Sequence, residues 1–401
     1  MAALLFFSLG LAQAEEPGSL LGSMFLEHLS PAQINQAMAR LYPRGTTYGA
    51  GDAVDHYRIR YSSRDENGEP VEIIAQLFIP IRQETVFLPL YVMGVGTTGL
   101  SEECAPSLEV PSVSNWGDYP AHMLSYATQG YIAILPDPVG FNDPERVPRY
   151  FIAEASAHVL LDAARAVYNF FEEAELAVRP AEAVFMAGYS QGGHAVFAAS
   201  DYAASYAPDV PLRGVIGYGP TTDVADMLLA NPYFGPYLVY AYSQVYGGDR
   251  VDPAELLQAH FAQSLEADVL GHCVDEIFNY YGADPQAIYS PGFLEALRTH
   301  DFEGDYASFG GLLVENSSGL TGSDVPALIL QGTSDTVVFP SEQEAFIAQA
   351  CAAGERITYV SYANVDHFQT RQFGYRDTLS WIQGVLGGSE PRSDCSRFVA
   401  Q

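Results

Sequence analysis

Apolar and polar positions alternate in two rhythms along the chain. Tyr57, Ile59 and Tyr61 are separated by polar residues, as in a strand half-buried against a core. Short, nearly continuous apolar runs follow at 71–79, 88–93, 131–135, 183–187, 212–217, 327–330 and 357–362. Runs of that length suit strands covered on both faces of a parallel sheet. Between them, 150–174, 191–206, 341–353 and 375–386 carry apolar residues at helical spacing. Strand and helix in alternation predict an α/β fold, a mostly parallel doubly wound sheet with right-handed crossovers.

One stretch breaks the rhythm. Segment 223–322 holds only helical patterns, such as 225–245 and 253–267, and brings Tyr233, Phe234, Tyr237, Tyr240, Tyr242 and Tyr246 close together. Placed inside an α/β chain, it reads as an inserted helical cap, or lid, between core segments 15–222 and 323–401. The plainer alternative is a peripheral extension that only stabilises the sheet.

Composition narrows the class. Hydrophobic residues make up 48% of the chain, and its glycines and prolines are dispersed, which excludes disordered and collagen-like chains. The 49 acidic residues outnumber 18 basic ones, all arginine, for a formal net charge of −31. Such a field repels phosphate backbones and anionic membranes, so no nucleic-acid partner is expected. Residues 1–14 contain a short apolar run ending in Ala12-Gln13-Ala14, the pattern of a signal-peptidase site. The run is too short for a stable membrane anchor, and a secreted or periplasmic location is expected. Cys104, Cys273, Cys351 and Cys395 form no CxxC pair, so two disulfides are expected, with three pairings open.

The sharpest chemical signal is Gly188-Tyr189-Ser190-Gln191-Gly192, set between the apolar run 183–187 and the helical run 194–199. This is the strand–turn–helix context of a nucleophile elbow, which exposes a serine at the start of a helix. A serine hydroxyl needs a base to take its proton and a carboxylate to orient that base. Asp335 follows the strand pattern 326–332, and His367 follows the next, 357–362. Both stand beyond carboxyl ends of strands, where such sheets assemble their sites. Ser190, His367 and Asp335 are therefore the candidate catalytic triad, with Asp366 as a rival acid. An oxyanion needs two fixed donors. The Gln191 amide is one candidate; the second lies in the turn 94–99, at Gly96 or, by preference, Thr97. No metal-ligand cluster and no phosphate-binding lysine loop is present, so no cofactor or metal is expected. His194 reads as structural, and Asn316-Ser317-Ser318 is a glycosylation sequon.

In order along the chain, Gly96-Thr97-Thr98-Gly99, Cys104-Ala105-Pro106-Ser107, Gly188-Tyr189-Ser190-Gln191-Gly192-Gly193, Gly332-Thr333-Ser334-Asp335-Thr336-Val337-Val338 and Asp366-His367 resemble the secretory lipase family of the lipase A type. The resemblance covers roughly residues 30–397. It implies an α/β-hydrolase fold and hydrolysis of carboxylic esters, acylglycerols or related compounds, while the aromatic residues of 223–322 suggest an apolar small-molecule, lipid or polymeric ester, a polyester among them, as substrate. It also implies pairing Cys104 with Cys273 and Cys351 with Cys395. Two departures stand out: Val95 occupies a position where a histidine is common, and Val147-Pro148-Arg149-Tyr150 replaces a usual His-Pro-Tyr segment. A monomeric ester hydrolase working through an acyl-enzyme is the expectation. An acyltransferase using the same intermediate, and a non-catalytic binder of hydrophobic ligands, are the alternatives.

Overall fold

The apolar runs become one nine-stranded sheet. Its strands are β1 (Leu20–Leu29), β2 (Val54–Arg64), β3 (Pro70–Pro80), β4 (Val86–Gly94), β5 (Ile132–Pro136), β6 (Val178–Tyr189), β7 (Leu212–Tyr218), β8 (Ala327–Gly332) and β9 (Ile357–Tyr362). They lie in the order β1-β2-β3-β5-β4-β6-β7-β8-β9. Pairs from β5 through β4 to β9 are parallel, while β1, β2 and β3 run antiparallel to their neighbours. The structure is a computed structural model that describes residues 15–43 and 45–399; the leader read over 1–14 lies outside the described residues.

The central strands are apolar throughout because alternate side chains enter two different cores. Leu90, Val92, Val184 and Met186 pack with Leu160, Val167, Val196 and Phe197, from α3 (Ala153–Glu173) and α4 (Gln191–Tyr206). Tyr91, Met93, Phe185 and Ala187 face the other way, towards Ile34, Met123, Tyr126, Tyr375 and Leu379. Those residues belong to α1 (Pro31–Leu41), α2 (Tyr119–Ala127) and α14 (Thr370–Leu386). Helix α13 (Pro340–Ala353) joins the first core through Phe346 and Ile347.

Between β7 and β8 the chain forms eight helices: α5 (Val224–Ala230), α6 (Gly235–Tyr246), α7 (Pro253–Leu256), α8 (Ala259–Gly271), α9 (Val274–Tyr281), α10 (Pro285–Ile288), α11 (Pro291–Thr299) and α12 (Ala307–Glu315). The helix read over 225–245 is divided by a 3₁₀ turn at Pro232–Phe234. Pro232 and Pro236 lack the N–H that a continuous helix requires, and each instead sits near the start of a new turn. The pattern at 253–267 likewise divides into α7 and the start of α8. The helix expected from residue 150 begins at Ala153, because Phe151 holds φ = 54°.

Disulfides join Cys104 to Cys273 and Cys351 to Cys395. The first ties the loop after β4 to the start of α9, where Val274 N–H also donates to the Thr98 carbonyl at 2.9 Å. The second holds the C-terminal tail against α13.

Candidate active site

Ser190 stands between β6 and α4 with φ = 53° and ψ = −117°, a strained backbone for a residue carrying a Cβ. Its surroundings hold it there. Ser190 N–H donates to the Tyr218 carbonyl at 3.1 Å, and its own carbonyl accepts from Gly193 at 2.9 Å and Thr221 at 3.1 Å. The turn is so tight that a Cβ on Gly188 would come 1.9 Å from the Gly192 carbonyl oxygen, and one on Gly192 would come 2.1 Å from that of Gly94. Glycine is a steric requirement at both positions.

Asp335 follows β8 and is fully enclosed. Its Oδ1 accepts from the Val337 and Val338 amides at 2.9 and 2.8 Å. Its Oδ2 accepts from Gln331 Nε2 at 3.1 Å and lies 2.8 Å from His367 Nδ1. Four hydrogen bonds to one carboxylate fix its plane, and with it the tautomer and tilt of the imidazole. Asp366 is engaged elsewhere, accepting from the Gln369 N–H at 3.0 Å. The structure thus brings His367 to Asp335 and not to its neighbour.

His367 is buried, yet its Nε2 has no hydrogen-bond partner among the described residues. Ser190 and His367 border the same cavity of about 400 Å³. Nε2 and the Ser190 hydroxyl share no hydrogen bond in this structure, and catalytic hydrogen bonds of this kind often tighten only in the complex with substrate. The cavity is mainly apolar, walled by Trp116, Tyr189, Phe234, Val274, Phe278 and Phe368, and it reaches Thr97. Of the tyrosine-rich cluster read in 233–246, only Phe234 lines it. Tyr237 and Tyr242 are buried, with hydroxyls donating to the His272 and Phe151 carbonyls.

The two candidates for the second oxyanion donor differ in one respect. The Gly96 amide donates to the Tyr119 hydroxyl at 2.7 Å. The Thr97 amide, like that of Gln191 at the first position of α4, donates to no group among the described residues. Thr97 is held by its own hydroxyl, 2.9 Å from that of Tyr150. The segment 147–150, which departs from the usual pattern, therefore still supplies a tyrosine to this turn.

Other candidates are structural. His194 is buried 2.6 Å from the Asn316 carbonyl, and burial pushes its imidazole down to about 4. Asn316 is buried too, its Oδ1 accepting the Ala153 amide and its Nδ2 donating to Tyr246 and Leu312, so this sequon is closed to a glycan. Sequence reasoning missed Arg371, Tyr119 and Glu109, which surround the site through contacts distant in sequence. The described residues contain no cluster of three or more metal-ligating side chains.

A model of the secretory lipase family matches residues 121–231, which span the elbow. Lipase A of Moesziomyces aphidis is 23% identical over 374 residues, 87% of this chain and 76% of that protein. A secreted triacylglycerol lipase of Malassezia furfur, LIP4, is 23% identical over 375 residues, 86% of this chain and 65% of that one. Among solved structures, the rice cell wall degrading esterase LipA of Xanthomonas oryzae superposes with a TM-score of 0.72 at 19% identity. That match covers 93% of this chain and 97% of that one, and it identifies the fold as that of the α/β-hydrolases. Family model and relatives agree that the chain is similar to the secretory lipases, and to lipases of the lipase A type among them.

Proposed function

We propose that this secreted lipase-family enzyme hydrolyses hydrophobic carboxylic esters through Ser190, His367 and Asp335. The observation that carries the reading is the buried Asp335–His367 pair opening onto the cavity that Ser190 borders from its elbow. His367 Nε2 takes the Ser190 proton as Oγ attacks the ester carbonyl, and Asp335 stabilises the imidazolium that forms. The free amides of Thr97 and Gln191 receive the developing oxyanion. The imidazolium then protonates the departing alcohol oxygen, leaving an acyl-enzyme. Water, deprotonated by the same imidazole, releases the acid and restores Ser190.

Segment 223–322 acts in this reading as a cap. Phe234, Val274 and Phe278 supply one wall of the cavity, so the substrate's apolar part lies between cap and core. A cavity of about 400 Å³ suits a small or medium ester, or one end of a longer lipid or polyester chain. The test is turnover of p-nitrophenyl esters from acetate to palmitate beside Ser190→Ala. Loss of at least about 10⁴-fold in kcat is expected for the variant. An unchanged rate in Ser190→Ala, or no turnover of any ester by the wild type, sinks the reading.

A further inference from the structure

Arg371 lies one helical turn after His367, at the start of α14, and is buried. Its guanidinium is stacked between two tyrosines, 4.5 Å from the Tyr189 ring centroid and 4.9 Å from that of Tyr119. Its Nη2 donates to the Gly117 carbonyl at 2.5 Å, while Nε and Nη1 have no partner among the described residues. A buried cation so sparsely bonded is costly, and no carboxylate among the described residues forms a direct ion pair with it. Cation–π contact with two rings supplies part of the compensation.

Each group it touches belongs to the site. Tyr189 precedes the serine and lines the cavity, and its ring lies 4.9 Å from that of His367. Tyr119 accepts the Gly96 amide through its hydroxyl, and Gly117 is part of the cavity wall. Behind that wall, Glu109 accepts the amides of Trp116, Gly117, Asp118 and Tyr119 at 2.7–3.0 Å. The packing is close enough to dictate two glycines. A Cβ on Gly96 would come 2.9 Å from Tyr189 and 3.0 Å from the Tyr119 hydroxyl, and one on Gly117 would come 2.8 Å from Tyr119 and 3.1 Å from Arg371.

We infer that Arg371 is a positioning residue for the oxyanion site: clamped between Tyr119 and Tyr189, it fixes the Gly96–Thr97 turn relative to Ser190. The chain of contacts runs from Arg371 to the Tyr119 ring, from its hydroxyl to the Gly96 amide, and so to the adjacent Thr97 amide. With Gly96 N–H held by Tyr119, the Thr97 N–H stays directed at the position where negative charge develops. Preorganisation of this kind acts on the transition state more than on the bound substrate.

This inference rests on the ester-hydrolase reading. The experiment compares wild type, Arg371→Met, Tyr119→Phe and the double variant on p-nitrophenyl butyrate, together with the Ki of an alkyl trifluoromethyl ketone, whose serine adduct carries an oxyanion. Each single variant is expected to lower kcat by roughly 10- to 100-fold with KM within about twofold, and to raise Ki by the same factor. The double variant should be little worse than the weaker single, because both act through one contact chain. Should Arg371→Met not fold, Tyr119→Phe, which keeps both rings, decides the matter through kcat and Ki. Unchanged kcat and Ki in the folded variants, or additive losses in the double variant, would overturn the inference alone. A wild type that neither turns over esters nor binds the ketone would overturn the hydrolase reading beneath it.

Discussion

Gly219 follows β7 with φ = 49°, and a Cβ there would stand 3.0 Å from His367 Nδ1 and 3.1 Å from Asp335 Oδ2. A methyl group at this point presses on the hydrogen bond that orients the imidazole and adds left-handed strain of about 1–2 kcal/mol. Gly219→Ala is expected to lower kcat by roughly 10- to 100-fold, since small misplacements of reacting groups cost that much. KM should hardly move, and melting should fall by about 2–4 °C. A steady-state comparison with a thermal melt checks both, and an unchanged kcat would mean that this contact does not hold the imidazole. That Ser190, Asp335 and His367 gather at one edge of the sheet was legible in the sequence, because each sits within a few residues of a strand pattern. Gly219 stands just as close to the run at 212–217, but a glycine after a strand names no chemistry, and Arg371 follows no strand pattern so closely. Arg371 meets Gly117 at a sequence separation of 254 residues, and only the folded sheet edge brings them together.

The elements were legible where an apolar run had one structural meaning. The central strands are covered on both sides and read correctly, whereas β1, an edge strand with Met24 and Phe25 exposed, gives no alternation to detect. Helix α1 was overlooked although Ser30 and Gln33 form a capping box ahead of Pro31-stabilised helix, a local signal that could have found it. In segment 223–322, hydrophobic periodicity hid the breaks, because prolines at helix starts leave the apolar pattern intact. The attachment of segment 223–322 to the rest of the chain was legible only as its one cysteine, Cys273, and the two disulfides have unequal consequences. Cys104–Cys273 closes a separation of 169 residues and is followed at once by Val274 on the cavity wall. Replacing both cysteines with alanine should cost about 2–5 kcal/mol and also raise KM for long-chain esters, as the α9 wall loosens. Cys351–Cys395 closes 44 residues away from the cavity, and the same replacement there should lower stability with kcat and KM unchanged. Chemical denaturation and ester kinetics on the two double variants separate these outcomes. Equal kinetic effects from both would mean that the first bridge has no special hold on the wall.

The whole molecule carries a charge of −31, and its response to pH follows from where protons are held. Burial raises the carboxyls of Asp137 to about 6, and of Glu342 and Glu355 to about 7. In the folded chain these groups keep protons that the unfolded chain has lost, so unfolding releases protons and stability falls as pH rises through their folded values. The buried imidazoles of His122 and His194 act oppositely: burial lowers both, so unfolding takes up protons below the ordinary histidine value and stability falls as pH drops. Above about pH 6.5 the histidines are neutral in both states, and the carboxyls act together with general repulsion among acidic side chains. Melting temperature should therefore decline by several degrees from pH 6.5 towards pH 8. Salt should recover part of that decline, since a Debye length of about 8 Å at 0.15 M screens surface repulsion but reaches the buried groups far less. The remainder should flatten in a Glu342→Gln, Glu355→Gln double variant, because neither side chain then has a proton to lose. Thermal melts at pH 5, 6.5 and 8, with and without 0.5 M NaCl, read each contribution separately. A melting temperature that rises between pH 6.5 and 8 would contradict both the burial of these carboxyls and the weight given to the acidic surface.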